Sequence, residues 1–165
     1  MKNSIPLLLL LLCISPSVRA DEPHKGQALS ELESLLVEKV NAYRQENDLG
    51  TLKVNEKLNV AALAHADTMI ETDNFSHQAG DSNPSDRVEN AGYTWMFVAE
   101  NLAFRSGYDG YSTEELARIT LEGWQNSPGH NKNLLAEQPT ETGIAIKEDT
   151  KSGRTYTVML YATPR

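Results

Sequence analysis

Cysteine is nearly absent. Cys13 is the single one among 165 residues, and it sits inside the apolar run that opens the chain. Everything beyond it must hold its fold without a disulfide, by burying a hydrophobic core, which a chain of this size can do. An excess of positive charge is missing as well: 15 Lys and Arg stand against 23 Asp and Glu, a formal net charge of −8. That balance argues against nucleic acid and anionic lipid headgroups as main partners. The apolar run, Ile5 to Ile14, is too short for a stable membrane span, which needs about 20 apolar residues, so no integral anchor is expected. Beyond it there is no internal repeat and no low-complexity tract. Nor is there a His-Glu-x-x-His, a Gly-x-Ser-x-Gly, a P-loop or a dinucleotide-binding glycine fingerprint.

What is present begins with a leader. Met1-Lys2-Asn3 carries one positive charge, Leu7 to Leu12 forms the apolar centre, Ser15-Pro16-Ser17 breaks it, and Val18-Arg19-Ala20 offers a small-residue cleavage site. This is the pattern of a secretory signal peptide over residues 1–20, with an uncleaved N-terminal anchor as the alternative, and it predicts export, to a periplasm or to the outside. Bulky Leu12 before Cys13 does not suit a lipoprotein signal. Cleavage would leave 145 cysteine-free residues with 13 positive against 23 negative side chains, a net charge of −10. Residues 21–28, with His24, read as a polar lead-in, and residues 29–165 as one domain.

Helices dominate the first half of that domain. Ser30-x-x-Glu33 is a capping box for a helix to about Asp48, with Gly50 as its stop and Leu29, Leu32, Leu36, Val40 and Tyr43 facing inward. Asn55 caps a second helix to Thr72, whose inner stripe is Leu58, Ala61, Ala62, His65 and Met69. A short helix over Ser85 to Asn90, an extended segment over Met96 to Phe104 and a loop over Gly107 to Tyr111 follow. Ser112-x-x-Glu115 opens a third long helix carrying Leu116, Ile119 and Trp124 inward, and Ser127-Pro128 starts a short one to Leu135, with Ser127 as N-cap. Gly143 to Ile146 and Thr155 to Tyr161 form a hairpin turning at Asp149 to Gly153. Both faces of the last strand are apolar, so it should be central. Helices first and strands late predict an α+β fold with a small, mainly antiparallel sheet.

Four residues could carry chemistry. His65 lies on an inward helix stripe, where a hydrogen-bonded, partly buried ring is expected. His77 follows Asn74-Phe75-Ser76, His130 follows Ser127-Pro128-Gly129, and Glu100 with Asn101 interrupts the apolar stretch Met96 to Leu102. Burying a carboxylate on such a strand is costly unless it is paired. If His77, His130 and Glu100 converge, they could hold a divalent metal or perform acid–base chemistry. If they do not, Glu100 faces solvent and the histidines are local caps.

The order of motifs resembles the CAP superfamily of cysteine-rich secretory, antigen 5 and pathogenesis-related class 1 proteins, and most of all its bacterial SCP-like secreted branch. The matching pieces are Val40-Asn41-x-Tyr43-Arg44, Leu58-x-x-x-Ala62-x-x-His65-Ala66-x-x-Met69, Phe75-Ser76-His77 and Arg87-Val88-x-x-Ala91-Gly92-Tyr93. They continue with Ala99-Glu100-Asn101-Leu102, Trp124-x-x-Ser127-Pro128-Gly129-His130-x-x-Asn133-Leu134-Leu135 and Gly143-Ile144-Ala145. The resemblance spans about Leu29 to Ala162. It implies a three-layer α–β–α sandwich with a central cleft lined by two His and two Glu that can bind a divalent cation such as zinc. Carried over, these are His77, Glu100 and His130, and Ser127 stands where the second Glu would be. Among the remaining residues, Asn101 is expected to bond local backbone at the strand end, Arg87 and Tyr93 to shape the loop under His77 unless they only form a salt bridge, and Trp124 to lie in the core rather than stack on a ligand. The resemblance favours a non-catalytic extracellular binding module for a lipid, sterol or protein ligand, for which a cation is not required. The alternatives are a metal-dependent hydrolase of extracellular peptide or envelope polymer, with His77, Glu100 and His130 as its catalytic candidates, and a purely structural cluster.

Overall fold

A computed structural model describes residues 30–107 and 110–165. The expected leader with Cys13, the lead-in with His24, and Leu29 lie outside the described residues, as do the two residues at the middle of the 107–111 loop.

Helix α1 (Glu31–Glu46) starts at the expected capping box: Ser30 accepts from the Glu33 amide, and Glu33 Oε2 accepts from the Ser30 amide at 2.7 Å. It ends before Gly50, because Asp48 adopts the left-handed conformation at φ 60° and the Leu49 amide returns to the Arg44 carbonyl. Strand β1 (Lys53–Val54) is followed by α2 (Glu56–Thr72), capped by Asn55. Helix α3 (Pro84–Asn90) begins with Pro84 at its first turn and an Asn83–Asp86 capping box. Strand β2 (Trp95–Ser106) leads to α4 (Thr113–Gln125), again opened by the expected box, Ser112 with Glu115. Helix α5 (Pro128–Leu134) and the hairpin strands β3 (Glu141–Asp149) and β4 (Arg154–Pro164) complete the chain. Ser127 occupies the N-cap position of α5, but its side chain makes no capping hydrogen bond, which corrects the expected role.

The sheet runs β1-β3-β4-β2, with β4 internal as its two apolar faces predict. All pairings are antiparallel except β1 with β3. Strand β4 divides two cores by the period-2 rule. Tyr156, Val158, Leu160 and Ala162 pack with α2 residues Leu58, Ala62, Ala66 and Met69, while Met159 and Tyr161 pack with Leu36, Val40, Leu121, Trp124 and Leu134 from α1, α4 and α5. The result is the expected three-layer α–β–α sandwich. The inward stripe of α4 is Leu116, Ala117, Leu121 and Trp124, with Ile119 only half-buried. Trp124 is a core residue whose indole N–H donates to the Leu102 carbonyl at 3.0 Å.

Two contacts fix the helices relative to the sheet. Gly143 lets α2 lie directly on β3: a Cβ there would fall 2.2 Å from the Leu58 carbonyl carbon. On the other face, the buried Arg44 guanidinium has no carboxylate partner among the described residues and donates instead to the carbonyls of Gly50, Leu134 and Ala136 at 2.7–2.9 Å. Burial holds its pKa below the usual arginine value. The bonds to Leu134 and Ala136 satisfy carbonyls at and beyond the C-terminal end of α5, the helix that carries His130.

Candidate functional site

Strand β2 sits at the edge of the sheet, and the site is built around its middle. Glu100 points to the α2–α3 side, where its side chain is 1% exposed. Burying that carboxylate requires partners, and it has two. Glu100 Oε2 accepts from Arg87 Nη2 of α3 at 2.7 Å, and Glu100 Oε1 lies 2.7 Å from His77 Nδ1. A carboxylate only accepts, so Nδ1 of His77 carries a proton and Nε2 is the ring's remaining lone pair when the ring is neutral. His77 is half exposed, at 51% of its side chain. Arg87 also donates to the carbonyls of His77 and Ser82, so one guanidinium fixes both the carboxylate and the loop bearing His77. The expected pairing of Arg87 with this loop is present. Tyr93 is elsewhere: its hydroxyl donates to Glu141 at 2.7 Å.

His65 lies under this group and departs from expectation. It is fully buried, and among the described residues neither ring nitrogen has a hydrogen-bond partner. Glu100 Oε1 is 3.8 Å from its Nε2. Desolvation pushes its pKa down to about 4 against opposing attraction from Glu100, with Arg87 lowering it further. The nearby Ser76 carbonyl favours the charged ring without reaching hydrogen-bond geometry. The consequence for stability has a definite sign. The unfolded ring takes up a proton near pH 6.5, whereas the folded one resists until about 4, so stability is complete above pH 6.5 and falls between these values. The loss from this ring is on the order of 3 kcal/mol. His65→Leu should flatten urea-unfolding stability across pH 6.5 to 4; an unchanged slope would sink this assignment.

His130 approaches from the opposite side of β2, in the first turn of α5. Its pKa is lowered by burial first and by His77 second, so the two imidazoles are electrostatic neighbours. Asn101, beside Glu100 but facing the other way, donates to the His130 carbonyl at 3.2 Å and to the Tyr161 hydroxyl at 3.1 Å. It therefore anchors α5 from mid-strand rather than trimming the strand's end. Asn133 donates to the Glu100 carbonyl at 3.1 Å and to Asn101 Oδ1 at 2.9 Å. Asn133 belongs to the motif that runs from Trp124 to Leu135, which by itself assigns it no role. Its signal was the three-residue spacing from His130, which places both on one helical face.

The structure thus brings His77 and Glu100 into contact and sets His130 near them, but Glu100 is not free. Among the described residues, no group of three or more His, Cys, Asp and Glu is arranged to hold a metal ion. The donor chemistry that remains is two imidazoles, one of them oriented by a carboxylate on its other nitrogen, an arrangement typical of metal-ligating histidines.

The family model for cysteine-rich secretory proteins, CAP, matches residues 37–161. The chain belongs to this family. YkwD of Bacillus subtilis is 31% identical over 122 residues, covering 73% of this CAP chain and 44% of YkwD, so the chain spans less than half of that relative. An outer surface protein of Borrelia burgdorferi superposes with a TM-score of 0.71 at 19% identity, over 86% of this chain and 100% of the other. An extracellular protein of Bacillus anthracis containing an SCP domain gives 0.66 at 21% identity, over 82% of this chain and 44% of the other. At those identities the two structures establish that the CAP fold is shared. Among the described residues, no helix is long and apolar enough to cross a membrane.

Proposed function

We propose that this CAP chain is an exported, non-catalytic binding module that engages its ligand through His77 and His130, with a divalent cation such as zinc as the shared contact. The observation that carries the reading is the occupancy of Glu100. Both of its oxygens are bonded, one to Arg87 and one to His77, and its side chain is almost wholly buried. A general base must reach the substrate's proton, and burial keeps the remaining lone pairs of Glu100, whose side chain is 1% exposed, away from one. Its effect is on His77, whose ring it turns and polarises. Ser127, at a helix start without an elbow motif, does not make a nucleophile.

A cation would be held by His77 and His130, and water or a ligand's own donor atoms would complete its coordination. Bound there, it would supply Lewis acidity and a fixed positive charge for a carboxylate, carbonyl or side chain of an extracellular protein partner. Two protein ligands predict weaker binding than a closed four-ligand site. Export is supported by the leader pattern of residues 1–20 and by the outer-surface and extracellular descriptions of the two structural relatives.

Calorimetric titration of the purified protein with zinc tests this. One-site saturable binding is expected for the parent and none for His77→Ala/His130→Ala. Absence of binding by the parent at high micromolar zinc would remove the cation. Zinc-dependent hydrolysis of a peptide or envelope polymer, lost in the double variant, would overturn the non-catalytic reading in favour of a hydrolase.

A further inference from the structure

The two histidines reach the site from opposite faces of one strand, and nothing joins them directly. Their connection runs through Glu100 and Asn101. Successive residues of a strand leave the sheet on opposite sides. Glu100 holds the ring of His77 on the α2–α3 side, and Asn101 holds the backbone of His130 on the α5 side. Asn133 closes the arrangement. Its amide nitrogen has two hydrogens, and they go to the Glu100 carbonyl and to Asn101 Oδ1. With the Glu100 carbonyl and the Asn101 side chain both tied to it, Asn133 couples α5 to the strand position that orients His77.

We infer that Asn133 is a positioning residue for the paired imidazoles: its side-chain amide sets where His130 stands relative to His77. The inference rests on the cation-binding reading for its purpose, but its geometry does not. Helix α5 is only 7 residues long, and no side chain caps its start, since its N-cap serine makes no side-chain bond. Three external ties hold it. Arg44 grips the carbonyls at its C-terminal end, and the Tyr43 hydroxyl donates to Asn131 Oδ1 at 3.0 Å. The bonds between Asn101, Asn133 and His130 are the third tie and the one at His130 itself. Asn133 is partly exposed, and its truncation removes the bonds to the Glu100 carbonyl and to Asn101 Oδ1. A residue with this duty acts on metal affinity through a ligand it does not replace, and changes to such supporting residues weaken metal binding about 10–100-fold.

The test compares the parent with Asn133→Ala and with Asn59→Ala. Asn59 Oδ1 accepts the Ile144 amide on the α2 side of β3, so its loss removes a structural hydrogen bond remote from α5. Zinc titrations are run at a temperature where all three proteins are fully folded, and the histidine ring resonances of the metal-free proteins are recorded by NMR. Asn133→Ala should bind zinc at least tenfold more weakly than the parent, and Asn59→Ala should match the parent. Without metal, the His130 ring signals should move in Asn133→Ala while those of His77 stay in place. Unmoved His130 signals would overturn the inference whether or not the parent binds zinc. Equal zinc affinity in Asn133→Ala and a zinc-binding parent would overturn it too. Displaced His130 signals in a parent background that binds no zinc would uphold the positioning role and refute the cation-binding function.

Discussion

Glu100→Ala should lose on the order of 3–5 kcal/mol of unfolding free energy at neutral pH, the range for a buried ion pair broken from one side. The cost comes from what remains. Arg87 is 7% exposed, and it keeps the carbonyls of His77 and Ser82 but has no anion for its positive charge. Urea unfolding read at its midpoint measures the loss. A companion variant separates charge from volume. Glu100→Leu/Arg87→Met removes both members of the pair and should recover much of the stability, because well-packed apolar side chains often replace a buried ion pair at little cost. Neither variant should retain the parent's zinc affinity, since His77 has lost the acceptor that fixes its ring. A Glu100→Ala protein as stable as the parent would mean that the carboxylate is not the anchor described here.

Gly143→Ala should be at least as damaging as a typical overpacked core substitution, about 3 kcal/mol, and a failure to accumulate folded protein is within the expected range. The added methyl would meet backbone rather than the end of a flexible side chain: the Leu58 carbonyl carbon at 2.2 Å and the Asn59 amide nitrogen at 2.5 Å. Relief would require α2 to lift from β3. That would break the bond from the Ile144 amide to Asn59 Oδ1 and open the core in which Leu58 and Ala62 are wholly buried. Thermal unfolding of Gly143→Ala beside Gly50→Ala makes the comparison, since nothing lies within 4 Å of a Cβ at Gly50. Equal melting temperatures for the two would show that the α2–β3 approach is looser than described.

The sequence was most readable where local chemistry decides structure. The capping boxes at Ser30 and Ser112 specify helix starts through reciprocal bonds within four residues, and both are present. The alternation of Val158 and Leu160 against Met159 and Tyr161 placed β4 between two layers, where it lies. Strand β1 was illegible because two residues cannot show a period, and its pairing depends on distant Glu141 and Thr142. The stop of α1 was misplaced because Asp48, not Gly50, takes the left-handed position. At the site, a carboxylate on an apolar strand needs partners only if it is buried, and the sequence left a solvent-facing Glu100 open; tertiary structure shows it buried against Arg87 and His77. The periodicity of α2 put His65 inward, yet no pattern along the chain records that both its nitrogens lack partners. Asn101 was assigned to local backbone because its true partners, His130 and Tyr161, are 29 and 60 residues away.

On the proposed reading, Glu100 orients a histidine and does not itself bind the ligand. A crystal structure of the zinc-loaded protein tests it most directly. Zinc is expected on His77 Nε2 and a ring nitrogen of His130, with Glu100 still bonded to His77 Nδ1 and to Arg87. Zinc coordinated by a Glu100 oxygen, with the Arg87 pairing broken, would contradict it.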